Sequence, residues 1–142
     1  MPEHVLVPVD GSDRSWRALE YAVALFATAH LTVLYVVDPA EGDYYLDEMD
    51  RPVEQSKEIQ TAARERVRAA GGTGRDVTIA VEDGKPAQTI IDHAEKTDVD
   101  HVVVGSRGRT GFSRLLLGSV AETVIRRSPV PVTVVRENEV SS

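Results

Sequence analysis

Five short apolar runs recur along this chain, and segments with helical periodicity separate them. That alternation confines the fold to a narrow class. The runs are Val5-Leu6-Val7-Pro8-Val9, Leu31 to Val37, Val77 to Val81, His101 to Val104 and Pro131 to Val135. Asp, Gly, Ser or Pro closes the first four: Asp10-Gly11-Ser12, Asp38-Pro39, Asp83-Gly84 and Gly105-Ser106. Apolar runs of this length with turn residues behind them read as buried strands. Between the first two runs, Trp16, Leu19, Ala22, Val23 and Phe26 recur at three- and four-residue spacing, which is one apolar helix stripe. Ser12 suits its N-cap and Asp13 its first turn. A second helix, capped by Asp50, runs to Gly71-Gly72, and a third carries Ile90, Ile91 and Ala94 inward. A fourth starts near Ser119 and ends by Ser128-Pro129.

Strands that alternate with helices pair in parallel through right-handed crossovers. Continuous apolar strands belong in a sheet covered on both faces. The expected fold is therefore α/β: a single doubly wound, Rossmann-like five-stranded parallel sheet of order 3-2-1-4-5, with helices on both faces. Residues 1–142 read as one domain, with 136–142 as a frayed tail.

Composition removes several function classes. There is no cysteine, so disulfides, thiolate metal sites and thiol catalysis are excluded. Net charge is −7, which argues against a general nucleic-acid surface. The apolar runs are too short to cross a bilayer, and Met1-Pro2-Glu3-His4-Val5 lacks the pattern of a secretion signal. The expectation is a cytoplasmic protein with no nucleic-acid and no membrane partner.

The chemistry concentrates after the fourth strand. Gly105-Ser106-Arg107-Gly108 is followed, nine residues later, by Gly118-Ser119. Glycines at a strand end let the backbone turn and approach a ligand closely. A Gly-Ser pair at a helix start presents free N–H groups to an anion. Ser119-Val120-Ala121-Glu122 also has the form of a capping box. The Ser119 hydroxyl is thus either a helix cap or a phosphate ligand. In an open doubly wound sheet, ligands bind beyond the carboxyl ends of the strands where the strand order reverses. With strands one and four adjacent, Pro8-Val9-Asp10 and Gly105-Ser106 open into one crevice. Asp10 accepts hydrogen bonds only, so it belongs against a ribose hydroxyl or an adenine amine, away from phosphates. Val36 is placed to line the base slot.

The full set resembles the signature of the ATP-binding universal stress proteins. It comprises Val7-Pro8-Val9-Asp10-Gly11-Ser12, Leu34-Tyr35-Val36-Val37-Asp38, Gly105-x-x-Gly108, nine residues, Gly118-Ser119, and Ser128-Pro129-Val130-Pro131-Val132. The resemblance implies that Asp10 and Val36 sit at adenine and ribose. Gly105 and Gly108 would hold the ribose and phosphate region, and Gly118, Ser119 and Val120 would offer N–H groups to the triphosphate. It also implies ATP, or AMP, bound with Mg²⁺ or Mn²⁺, and a homodimer paired through the last strand, Val132 to Val135. The roles of Arg107 and Arg109, which lie in the variable part of the loop, do not carry over firmly.

Other residues read as structure. His4, His30, His93 and His101 show no metal-ligand spacing, and Trp16 and Phe26 suit the core. Tyr44 and Tyr45 lie in the long connection beside the expected cleft. There is no Gly-x-x-x-x-Gly-Lys-Ser/Thr loop and no convincing general base. The expectation is a nucleotide-dependent sensor or switch with slow hydrolysis at most. The alternatives are an AMP- or cyclic-AMP-binding protein and a nucleotide-free dimeric interaction module.

Overall fold

The computed structural model describes residues 2–39, 51–72, 76–106 and 118–136. In chain order the elements are β1 (His4–Val9), α1 (Asp13–Leu25), β2 (His30–Val37), α2 (Arg51–Ala69), β3 (Val77–Asp83), α3 (Pro86–Lys96), β4 (His101–Ser106), α4 (Ser119–Arg127) and β5 (Val132–Arg136). The strands form one parallel sheet of order β3-β2-β1-β4-β5, as the alternation of the sequence requires. Successive residues of a strand point to opposite faces, and the core divides accordingly. Val5, Val7, Leu31, Val33 and Val103 pack against Trp16 and Leu19 of α1 and Ala63 and Val67 of α2. Leu6, Leu34, Val102 and Val104 pack against Ile90 and Ala94 of α3 and Ala121 and Val124 of α4.

Several boundaries differ from the sequence reading. β4 continues through Gly105 and Ser106, which pair with Val135 and Arg136 of β5. Gly105 is therefore a strand residue and not a turn. Arg136, expected to begin a frayed tail, closes the last strand. Ser12 caps α1 as expected: its hydroxyl accepts the Ser15 N–H. The proposed Asp50 cap, Tyr44, Tyr45 and Arg109 lie outside the described residues.

One local irregularity opens the sheet. β1 pairs with β2 along its whole length, from His4↔His30 to Val9↔Tyr35. Its pairing with β4 covers only Val5↔His101 and Leu6↔Val102. Pro8 has no N–H with which to continue that ladder. Past Leu6 the two central strands part, and a crevice starts where the strand order reverses.

At the opposite margin, the first residues of three strands bond across to threonines. His4 Nε2 lies 2.7 Å from Thr32 Oγ1, His30 Nε2 3.0 Å from Thr78 Oγ1, and His101 Nε2 2.7 Å from Thr133 Oγ1. These histidines stitch the sheet floor, in line with a structural role. His101 also stacks on Phe26, with ring centroids 5.1 Å apart. Burial holds its pKa below the ordinary 6.5, against the pull of Asp100. The unfolded chain therefore takes up that proton first. Stability should be flat above about pH 6.5 and fall as pH drops toward the folded value. Urea midpoints measured from pH 8 to pH 5 should show this loss, and His101→Gln should flatten it. An unchanged slope in the variant would remove His101 as its source.

Candidate functional site

The crevice between β1 and β4 widens into a cavity of about 1000 Å³ at the carboxyl ends of the strands. Its floor is Pro8 and Val9 of β1, Leu34 and Val36 of β2, and Val104 and Gly105 of β4. Pro86 and Ile90 of α3 bring an apolar wall, and Glu54, Gln55 and Glu58 of α2 bring a polar one. The start of α4, Gly118 to Ala121, closes the far side. Eight residues singled out from sequence meet here: Pro8, Val9, Asp10, Val36, Gly105, Gly118, Ser119 and Val120.

The loop after β1 is held by its own side chains. Gly11 takes φ +88°, a conformation that glycine adopts without steric cost, and this turns the chain into α1. Asp10 Oδ1 accepts the N–H of Ser12 at 2.9 Å and the Ser12 hydroxyl. The Asp10 N–H in turn donates to Ser15 Oγ at 3.2 Å. Burial pushes the Asp10 carboxyl up, but the Ser12 bonds, the Arg14 charge and Ser15 outweigh it and hold it below the usual carboxylate range. The second oxygen, Oδ2, stands 3.8 Å from Arg14 Nη2. That oxygen remains an acceptor at the cavity rim.

The two described glycines of the motif turn out to have different reasons to be glycine. At Gly105 a Cβ would sit 2.3 Å from the carbonyl oxygen and 2.8 Å from the carbonyl carbon of Arg14. The first turn of α1 lies directly on β4, and only glycine fits between them. The expectation that Gly105 serves a turn is thus corrected: it is a strand residue, and helix–strand packing already demands glycine there, whatever the ligand also requires. At Gly118 a Cβ meets nothing within 4 Å among the described residues, and φ −70°, ψ 165° suits any residue. The described fold places no demand on Gly118.

The cap of α4 also differs from the sequence reading. Gly118 is the N-cap, Ser119 is already helical, and no side chain among the described residues bonds the helix start. The capping box does not form; Glu122 pairs instead with Arg126, 3.1 Å away and one turn on. With no described side chain on them, the N–H groups of the first turn are available to an anion. Ser106 faces the Val102 and Val104 side of the sheet and does not line the cavity. Its hydroxyl is fully buried and has no hydrogen-bond partner among the described residues. Arg107 and Gly108 lie outside the described residues.

Arg14, Ser15, Leu34, Tyr35, Val37, Asp38, Glu54, Gln55, Glu58, Pro86, Ile90 and Ala121 complete the lining and were not among the site residues expected from sequence. Arg14 was reachable, because the residue four beyond Asp10 on a new helix returns to it. The α2 residues were not, because nothing local says where a distant helix crosses the cleft.

The universal stress protein family model matches residues 1–136. The chain belongs to the universal stress protein family. Universal stress protein MJ0531 of Methanocaldococcus jannaschii is 36% identical, over 94% of this chain and 81% of that protein. Universal stress protein YxiE of Bacillus subtilis is 33% identical, over 93% of this chain and 97% of its own length. Among solved structures, a universal stress protein in complex with cAMP superposes with a TM-score of 0.75 at 29% identity. That match covers 96% of this chain and 99% of the other. No helix among the described residues is long and apolar enough to cross a membrane.

Proposed function

We propose that this family member binds ATP in the β1–β4 cleft and acts as a nucleotide-dependent sensor or switch in the stress response. The observation that carries the reading is Gly118. It caps α4 with no side chain, the described fold does not require glycine there, and the N–H groups of the helix start, uncapped by any described side chain, border a large cavity. Such a terminus attracts an anion through its N–H groups and through roughly half a positive charge of helix dipole. Val9, Leu34, Val36 and Ile90 offer an apolar slot for a base, and Asp10 Oδ2 offers an acceptor for a ribose hydroxyl. Arg107 and Gly108 complete the assignment at the phosphate end; Ser106, of the same motif, does not line the described cavity.

Among the described residues no group of three or more His, Asp or Glu is placed to hold a metal ion. Mg²⁺ or Mn²⁺ would enter on the phosphate oxygens, where it neutralises their charge. Slow hydrolysis at most is part of the same proposal, since the chain carries no Gly-x-x-x-x-Gly-Lys-Ser/Thr loop. The structure solved with cAMP favours cyclic AMP as the competing ligand.

The assembly we propose is a homodimer through β5, an edge of the described sheet. Val132 and Val134 pack into the chain's own core, so charges there would disturb the fold before any interface. Native mass spectrometry of the purified protein tests both proposals together. The expected species has twice the chain mass and carries one ATP per chain. Bound AMP or cyclic AMP would replace ATP as the ligand. A monomer that takes up no nucleotide, even with added ATP and Mg²⁺, would refute the reading.

A further inference from the structure

We infer that Arg14 is the cationic phosphate ligand of this cleft, and that it selects nucleotides over nucleosides. The inference rests on the proposed nucleotide site and adds to it a side chain from outside the glycine motif. Four carboxylates line the described cavity, Asp10, Asp38, Glu54 and Glu58, and Arg14 is the lone cation among the described lining residues. Left to those acids, the field in the cleft repels a polyphosphate. Arg14 stands where the balance is needed. Its backbone lies on Gly105, the residue at which β4 leads into the glycine loop.

The arginine is also unsatisfied. Its side chain is 31% exposed, and its one described polar contact is Asp10 Oδ2 at 3.8 Å, beyond hydrogen-bond range. A guanidinium carries five N–H donors in a fork that matches phosphate oxygens. Asp10 meanwhile uses Oδ1 for Ser12, and the described contact of Oδ2 is the long one to Arg14. A nucleotide would resolve both shortages together. Its phosphates take the Arg14 donors, and a ribose hydroxyl donates to Asp10 Oδ2. The loose Asp10–Arg14 pair, 3.8 Å apart, thus supplies both the acceptor and the donors that a nucleotide needs. Loss of a charge-assisted hydrogen bond to phosphate weakens binding by about tenfold or more.

Calorimetric titration of the wild-type chain, Arg14→Gln and Arg14→Lys with ATP and with adenosine tests this. Arg14→Gln should lose about tenfold or more for ATP and keep its adenosine affinity, and Arg14→Lys should recover part of the ATP loss. Equal losses for ATP and adenosine in Arg14→Gln would make Arg14 a packing residue and overturn the inference alone. Unchanged ATP affinity would do the same. A wild-type chain that binds neither ligand would overturn the proposed function, and this inference with it.

Discussion

Gly118→Asp should leave the protein folded as well as the wild type and should abolish its affinity for ATP. Aspartate is among the best N-cap residues, and in place of glycine it stabilises a helix by about a few tenths of a kcal/mol. A side chain at residue 118 meets nothing within 4 Å among the described residues, and the backbone there is ordinary extended chain. The melting temperature should therefore hold or rise slightly. The same carboxylate would occupy the first-turn N–H groups and stand where phosphates are proposed to lie. Two like charges about 4 Å apart repel by about 4 kcal/mol at an effective dielectric near 20, enough for a loss beyond a hundredfold. Adenosine, which has no phosphate, should keep its affinity. Calorimetry beside a thermal melt reads both quantities. ATP affinity equal to wild type in the folded variant would remove the α4 terminus from the site.

Gly105→Ala should fail in the opposite way. The added methyl would lie 2.3 Å from the Arg14 carbonyl oxygen, so α1 must lift from β4 or the strand must bend. Overpacking of this kind costs about 1–3 kcal/mol, and more where backbone is the obstacle. That corresponds to a fall in melting temperature of roughly 3–10 °C for a chain of this size. Any loss of nucleotide affinity should come with that loss of stability. A variant as stable as the wild type that no longer binds ATP would mean that the α1–β4 packing is not the constraint and that the glycine serves the ligand directly.

These two glycines mark where sequence reading reached and where it stopped. The strand order and the helix faces were legible, because apolar runs and three-to-four spacing report burial directly. The cleft was legible too: Pro8, Asp10, Val36 and Gly118 converge at the point where the topology reverses. The reason for each glycine was not, since a turn, a tight packing contact and a ligand approach all favour the same residue. Only the distance to Arg14 separates Gly105 from Gly118. The capping box at Ser119 misled for a related reason. Ser-x-x-Glu fits a helix start, but the helix began one residue earlier and Glu122 found Arg126 instead. Arg14 itself was passed over because a charged residue in a first helical turn is ordinarily solvated surface. Its significance comes from what surrounds it among the described residues, four carboxylates and no side-chain hydrogen-bond partner, and of these only Asp10 is local in sequence.

The central proposal is that the β1–β4 cleft is an adenine-nucleotide site with its phosphate end at α4. Backbone amide shifts of the labelled protein, followed through a titration with ATP and Mg²⁺, test it most directly. Saturable shifts are expected at Gly118, Ser119 and Val120, at Asp10 and Val36, and at Gly105 and Ser106, while the floor of the sheet around His4, His30 and His101 stays unmoved. Shifts that do not saturate, or that gather on any other face of the molecule, would contradict it.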